Sequence, residues 1–130
     1  MDQNHTTSQG ARILVVDDDQ MIRDVTLRRL ASLGYRAIAA ASGAEALEAL
    51  ASGADVDLLL TDIRMPGELH GPALAKEARR LRPQIKVLFV TGAPDDTLLQ
   101  EDADKDGQLL LKPCTKAELA EKIREVLTDT

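Results

Sequence analysis

The sequence predicts an α/β fold with a five-stranded parallel sheet and helices on both faces. Five short runs of Ile, Leu and Val recur along the chain, and segments with helical spacing or helix-boundary signals lie between them. Strand and helix units that alternate in this way form a parallel sheet, because right-handed crossovers return the chain in the same direction. The carboxyl ends of all five strands then lie along one rim of the sheet.

Composition limits the class of protein. The chain has 130 residues, with 44% hydrophobic and 29% charged, which is typical of one globular domain. The net charge is −6 and no Lys/Arg cluster stands out, which argues against direct nucleic-acid binding. Cys114 is the only cysteine, so an intramolecular disulfide is excluded and a half-buried small side chain is expected.

The ends of the chain and its location are also predicted from composition. No apolar run approaches the roughly 18 residues of a membrane span, and the polar start contains no hydrophobic signal segment. We therefore expect a cytoplasmic protein without membrane contact. Residues 1–10 are predicted to be a disordered leader, and residues 11–130 the folded domain.

The first half of the chain predicts two strands, each followed by a helix. The first strand is Ile13–Val16, with helical spacing from residue 21 to residue 33, and the second strand is Tyr35–Ala39. Ser42 and Glu45 form a capping-box pattern that opens the second helix. Gly34 and Gly53 are predicted to end the two helices. The apolar positions of these helices are Ile22, Val25, Leu30 and Leu33 in the first, and Ala46, Leu47, Leu50 and Ala51 in the second.

The central strand is predicted over residues 57–61. Its three successive leucines indicate burial on both faces, and it ends at Asp62 before a Pro-Gly turn. A helix over residues 71–82 follows, and Pro83 enforces its end. The side chains expected to be buried by this helix are Leu74, Ala75, Ala78 and Leu81.

The last part of the chain predicts two more strands and a final helix. The fourth strand is Lys86–Val90, and the fifth is Leu109–Leu111. Residues 95–107 are acidic and poor in apolar residues, so we expect only a short, mobile helix there. Thr115 and Glu118 form a second capping-box pattern. The final helix is expected to bury Leu119, Ile123 and Leu127.

Five chemically active side chains stand at the ends of predicted strands: Asp17, Asp18, Asp62, Thr91 and Lys112. The shared rim makes neighbours of them. Crowded carboxylates need a cation, and Mg²⁺ suits oxygen ligands with open water positions. A neutralised site would let Asp62 act as a nucleophile toward a phosphoryl group. Singly, each residue has a simpler interpretation: the Asp17–Asp19 run as a helix cap, Thr91 as a strand-end hydroxyl and Lys112 as a solvated charge.

The motifs ILVVDDD, LLLTDIRMPG, VLFVTG and LLLKP, in this order, resemble the receiver domains of two-component response regulators. The resemblance covers about residues 12–128. It implies a flavodoxin-like (βα)5 fold with strand order 2-1-3-4-5. It also implies that Asp62 is the phospho-acceptor, and that Lys112 precedes a cis proline.

The resemblance assigns roles to the other site residues as well. Asp18 would bind Mg²⁺ directly and Asp17 mostly through water, while Asp62 and the backbone carbonyl of Arg64 would complete the protein ligands. Thr91 and Lys112 would hold the phosphoryl group. One departure concerns the output of the switch: Leu109 stands where the family often has an aromatic side chain that rotates on phosphorylation.

The resemblance implies a function. The chain would accept a phosphoryl group from a histidine kinase or phosphotransfer protein and change its affinity for an unknown downstream protein, as a switch and not a turnover enzyme. A stand-alone monomer or weak dimer is favoured, because the chain ends just after the fifth helix. The alternatives are a receiver excised from a hybrid sensor histidine kinase and, less favoured because Arg64 replaces a second acid, a small Mg²⁺-dependent aspartyl phosphatase. A pseudo-receiver is disfavoured because the acidic pair and the acceptor are present.

Overall fold

The computed structural model describes residues 10–63, 71–92, 108–111 and 114–128. The strands are β1 (Arg12–Val16), β2 (Arg36–Ala40), β3 (Leu58–Asp62), β4 (Lys86–Thr91) and β5 (Gln108–Leu111). The described helices are α1 (Gln20–Ser32), α2 (Gly43–Ala51), α3 (Gly71–Leu81) and α4 (Lys116–Thr128). The helix predicted over residues 95–107 and the leader up to residue 9 lie outside the described residues.

All neighbouring strands are parallel, in the order β2-β1-β3-β4-β5. The predicted parallel sheet is therefore confirmed, as is the strand order that the family resemblance implied. β3 is the middle strand, and its three leucines are almost fully buried, as a strand covered on both faces requires. Strand ends shift by one residue from the prediction. No described helix is long and apolar enough to cross a membrane.

Alternate side chains of the strands enter two separate cores. The α2/α3 face of the sheet packs side chains such as Leu14, Leu59 and Phe89 against α2 and α3. The α1/α4 face packs Val15 and Leu60, among others, against α1 and α4. This two-sided burial follows from the period of two residues in a strand.

The helix boundaries follow local chemistry. The side chain of Thr115 accepts from the Glu118 N–H at 3.0 Å, and the Glu118 carboxylate accepts from the Thr115 N–H at 2.8 Å, so the predicted capping box is confirmed. Ser42 also caps its helix, by accepting from the Glu45 N–H at 3.2 Å. Gly53 follows α2 with φ of 98°, the left-handed conformation that favours glycine.

The helical apolar patterns do not match burial at the ends of three helices or in the first half of α1, where Ile22 and Val25 are 39% and 40% exposed. Leu81, the last residue of α3, is 41% exposed, and Ala51, the last of α2, is exposed as well. In α4, Leu127 is only half-buried, and Val126 fills the core. In α2 and α4 the last turn still buries one side chain, Leu50 and Val126, while its neighbours Ala51 and Leu127 lie farther from the core.

The amino-terminal rim of the sheet is fixed by backbone contacts around Asp57. The Asp57 N–H donates to the Arg12 carbonyl at 2.8 Å, and the Arg12 N–H donates back to the Asp57 carboxylate at 2.8 Å. The Lys86 N–H donates to the Asp57 carbonyl at 3.0 Å. One residue thus connects the starts of β1, β3 and β4. The site residues lie at the opposite rim.

Candidate functional site

Strand register brings the predicted residues to one rim. Val16, the last residue of β1, pairs with Thr61 of β3, so Asp17 follows β1 beside Asp62, the last residue of β3. Asp62 itself pairs with Val90, and Thr91 is the next residue of β4. Parallel strands end at the same edge, so residues far apart in sequence become neighbours.

The connection between β1 and α1 holds Asp17 in a defined position. Asp17 is only 6% exposed, and its N–H donates to the Ala40 carbonyl at 3.3 Å. Its carboxylate accepts from the Asp19 N–H at 2.9 Å. The Arg23 guanidinium donates to its backbone carbonyl at 2.7 Å. Backbone and side chain of Asp17 are therefore both fixed by neighbouring elements.

The three acids of this connection have different environments. Asp19 is the N-cap of α1, because its carboxylate accepts from the Met21 and Ile22 N–H groups at 2.9 and 3.2 Å. The simpler interpretation of the acidic run as a helix cap is therefore correct for Asp19. Asp18 is exposed, whereas Asp17 is buried. Of the three acids, Asp17 and Asp18 are the two for which the resemblance predicts a metal-binding role, and that role stays a prediction.

Asp62 ends β3 in a half-buried position. The residue after it, Ile63, donates its N–H to the Val90 carbonyl at 3.2 Å and accepts from the Gly71 N–H at 2.9 Å. Gly71 begins α3 so close to β3 that a Cβ there would lie 2.6 Å from the Asp62 carbonyl oxygen. Only glycine fits this approach without displacement, so the start of α3 is seated directly on the backbone of the predicted acceptor.

A cavity of about 400 Å³ opens beside Asp17 and Asp62 on the α1/α4 face. Its floor contains Val15 and Leu60 from the sheet, and Leu119 of α4 closes one side. The wall contributed by α1 consists of Met21, Ile22, Val25, Thr26 and Arg29. The two carboxylates therefore border an apolar space that a group from outside can enter.

The other predicted site residues are only partly described. Thr91 is 2% exposed at the end of β4, so its hydroxyl lies at the rim and not in solvent. Cys114 is half-buried, as expected, and lines the cavity. Arg64 and Lys112 lie outside the described residues. Leu109 of β5 is partly buried and packs against the core of the α2/α3 face.

The donor set fits Mg²⁺. The described residues contain no group of three His, Cys, Asp or Glu side chains that could hold a metal ion. Mg²⁺ needs no such group, because it keeps several waters and takes one or two carboxylates. Asp17 and Asp18 carry carboxylate oxygens of this type, and Asp17 lines the same cavity as Asp62. The acidic rim is thus compatible with a hydrated magnesium ion.

Comparison with known proteins decides the family. Residues 13–124 match the family described as the response regulator receiver domain. The chain belongs to this family. The receiver is 38% identical over 122 residues to the sensor kinase CckA of Brucella abortus, covering 92% of this chain but 13% of the kinase. It is 36% identical over 117 residues to the response regulator receiver protein CpdR of Brucella abortus, covering 89% of this chain and 96% of that protein.

Solved structures agree with this assignment. A CheY-like receiver domain from Methanospirillum hungatei is similar with a TM-score of 0.82 and 34% identity, covering 92% of this chain and 94% of that one. The receiver domain of the hybrid histidine kinase CckA is similar with a TM-score of 0.75 and 34% identity, covering 90% and 99% of the two chains. The receiver fold is therefore established for this chain.

Three contacts of the receiver site were absent from the sequence prediction. Arg23 holds the Asp17 carbonyl, Arg29 contacts Cys114, and Gly71 seats α3 against Asp62. Gly71 had a local signal, since a glycine followed by Pro72 marks a helix start. The two arginines had none, because each donates to a backbone carbonyl, which any residue type provides.

Proposed function

We propose that this receiver is a phospho-accepting switch in which Asp62 takes a phosphoryl group from a phosphohistidine on a histidine kinase or phosphotransfer protein. The observation that carries the proposal is the position of Asp62. Its carboxylate ends the central strand at the rim of a cavity, beside the fixed carboxylate of Asp17. A half-buried carboxylate with an open approach suits a nucleophile.

In the proposed reaction, a carboxylate oxygen of Asp62 attacks the phosphorus atom. A new O–P bond forms while the P–N bond to the donor imidazole breaks, and the imidazole leaves with a proton. The product is an aspartyl phosphate, which water later hydrolyses to restore Asp62. Positioning and charge neutralisation supply most of the catalysis in such transfers. The chain acts once per phosphoryl group and is a switch, not a turnover enzyme.

Asp17, Asp18, Asp62 and the backbone carbonyl of Arg64 would hold Mg²⁺. The ion supplies charge neutralisation for the phosphoryl oxygens when bound. The hydrogen bond from the Asp19 N–H to the Asp17 carboxylate suits a ligand that contacts the ion mostly through water, and the exposure of Asp18 suits direct contact. Thr91 would donate its hydroxyl to one phosphoryl oxygen and Lys112 its ammonium to another.

Phosphorylation of Asp62 would then change the affinity of the cytoplasmic receiver for a protein partner. Leu109 cannot provide the ring and hydroxyl movement common in the family, since its side chain is aliphatic and partly buried. The signal therefore leaves the site by another route than rotation of an aromatic residue at that position.

A second arrangement has support from the comparisons. The chain is 38% identical to a segment of the sensor kinase CckA, of which it spans 13%, and 36% identical to CpdR, of which it spans 96%. The same phospho-acceptor chemistry would serve a receiver within a hybrid kinase. In that arrangement the phosphoryl donor or acceptor would be a domain of the same polypeptide.

The test uses Mg²⁺ and acetyl phosphate as the small phosphodonor. We expect the intact mass to increase by one phosphoryl group, and the increase to disappear in Asp62→Asn and when Mg²⁺ is chelated. Asp55→Asn is the matched control, because Asp55 is 77% exposed and lies near the start of β3, away from the site rim. The proposal is wrong if wild-type protein stays unmodified or if Asp62→Asn is still phosphorylated.

A further inference from the structure

Arg23 closes the connection between β1 and α1. Its guanidinium donates to the Asp17 carbonyl at 2.7 Å, six positions back in the sequence. Its backbone N–H donates to the Asp19 carbonyl at 2.9 Å, in the first turn of α1. Main chain and side chain of one half-buried helical residue therefore both bind the acidic connection. Because the guanidinium is charged, its bond to the carbonyl is stronger than a neutral hydrogen bond.

The Asp17 carbonyl belongs to the peptide unit that leads into Asp18. A peptide unit is planar, so a bond that fixes its carbonyl oxygen also fixes the direction of the N–H and Cα of the next residue. Two further bonds of Asp17 hold different groups: its N–H donates to the Ala40 carbonyl at 3.3 Å, and its carboxylate accepts from the Asp19 N–H at 2.9 Å. Among these three contacts, the one from Arg23 orients the peptide between the two acids.

Asp18 depends on its main chain for its position. It is exposed, whereas Asp17 is buried, so packing against neighbouring side chains restrains Asp18 less. An exposed carboxylate reaches a defined point only as far as its backbone is held. Loss of the Arg23 contact should therefore displace Asp18, the acid proposed to contact Mg²⁺ directly.

The charge of Arg23 and its hydrogen bond act on Mg²⁺ in opposite directions. A fixed cation repels a second cation, so removal of the charge alone would strengthen Mg²⁺ binding. The hydrogen bond supports the backbone of the ligands, and loss of such support weakens metal binding about 10- to 100-fold. The second effect is expected to be larger, because Arg23 is only half-buried and solvent screens its charge. The sign of the change in affinity therefore separates the two effects.

We propose that Arg23 is a positioning residue for Mg²⁺: it holds the peptide between Asp17 and Asp18 so that the two carboxylates present their oxygens to one ion. This inference rests on the proposed function, which assigns Mg²⁺ to the acidic pair. Arg23 touches neither the ion nor the phosphoryl group in this role. It acts through the Asp17 carbonyl alone.

The experiment compares Arg23→Met with Arg28→Met. Arg28 is an exposed residue of the same helix, so both variants remove one positive charge from α1, and only the first removes the bond to Asp17. Mg²⁺ is titrated without a phosphodonor, and its dissociation constant is obtained from the amide chemical shifts of residues 17–19 in NMR spectra. Arg23→Lys, which keeps the charge but replaces the guanidinium by an ammonium, is the conservative variant. Phosphorylation of wild-type protein by acetyl phosphate is measured separately.

We expect Arg23→Met to bind Mg²⁺ about tenfold more weakly than wild type. Arg28→Met should match wild type, and Arg23→Lys should fall between wild type and Arg23→Met. Without Mg²⁺, the amide shifts of Arg23→Met should differ from wild type around residues 17–19 and stay unchanged in β4 and α4. This local pattern separates a positioning role from a general loss of stability.

Equal or tighter Mg²⁺ binding by Arg23→Met would overturn the inference, and so would an equal weakening in Arg28→Met. If Arg23→Met failed to fold, Arg23→Lys would decide: weaker binding than wild type supports a positioning role, and wild-type affinity assigns Arg23 to general stability. Wild-type protein that binds Mg²⁺ but accepts no phosphoryl group contradicts the proposed function alone. Wild-type protein that binds no Mg²⁺ contradicts both.

Discussion

The two faces of the sheet bury the same types of residue but differ in how tightly they are packed near the acceptor. The α2/α3 face buries Phe89, the largest fully buried side chain, together with leucines and alanines. The α1/α4 face has a cavity of about 400 Å³, and the apolar side chains of α1 nearest to it are exposed, with Met21 at 79%. Both faces bury apolar side chains, but the second also leaves an opening beside the acceptor.

The contrast originates in where the helices begin. α1 starts at the N-cap Asp19, directly after the acidic pair, so its first two turns stand at the rim beside the cavity. Leu30, near the end of the helix, is fully buried. α3 instead starts in direct contact with the end of β3. The site is therefore closed on the α2/α3 face, where α3 contacts β3, and open on the α1/α4 face, where the first turn of α1 leaves the cavity accessible.

The largest effect is expected from Phe89→Ala on the α2/α3 face. Removal of a fully buried ring leaves a cavity and should lower the free energy of unfolding by about 3–5 kcal/mol. The measurement is urea unfolding followed by circular dichroism. Phe89→Leu, which keeps most of the volume, should lose less. A loss below about 1 kcal/mol for Phe89→Ala would contradict the close packing of this face.

An intermediate effect is expected from Gly71→Ala, at the contact between the start of α3 and the end of β3. The added Cβ would lie 2.6 Å from the Asp62 carbonyl oxygen and 2.8 Å from the Ile63 Cα, so backbone must move. We expect a loss of about 1–3 kcal/mol and slower phosphorylation by acetyl phosphate.

Gly53→Ala is the control for this substitution. Gly53 has φ of 98° with nothing within 4 Å of an added Cβ, so alanine there costs about 1–2 kcal/mol through backbone strain alone. Its phosphorylation rate should equal that of wild type. If Gly71→Ala were phosphorylated as fast as Gly53→Ala, the seating of α3 on the acceptor would have no functional consequence.

The smallest effect is expected from Val25→Ala on the open side. Val25 is 40% exposed, so the free energy of unfolding should change by less than about 0.5 kcal/mol. Val87→Ala makes the same chemical change at a residue that is 2% exposed on the α2/α3 face, and should cost about 1.5–3 kcal/mol. Equal losses for the two variants would remove the distinction between the faces.

The sequence predicted what depends on local pattern. Runs such as Leu58–Leu60 identified the strands, and capping boxes such as Thr115 with Glu118 identified helix starts. Strand order could not be obtained from periodicity, because periodicity identifies which residues form a strand and not which strand lies beside it; the order came from resemblance to the family. The fold then placed Asp17, Asp62 and Thr91 at one rim.

The rest could not be predicted because it depends on where elements end against one another. Leu81 fits the apolar stripe of α3, yet it is 41% exposed at the last residue of the helix. Asp19 has the same side chain as Asp17 and Asp18, and it caps α1 only because the helix begins at the next residue. The contact of Arg29 with Cys114 spans 85 positions, and no local pattern encodes it.

The hydrogen bond from the Gly71 N–H to the Ile63 carbonyl, at 2.9 Å, protects one backbone amide beside the acceptor. This N–H exchanges its hydrogen with solvent only when the bond opens. The exchange rate of the Gly71 amide therefore reports directly whether the start of α3 stays attached to the end of β3.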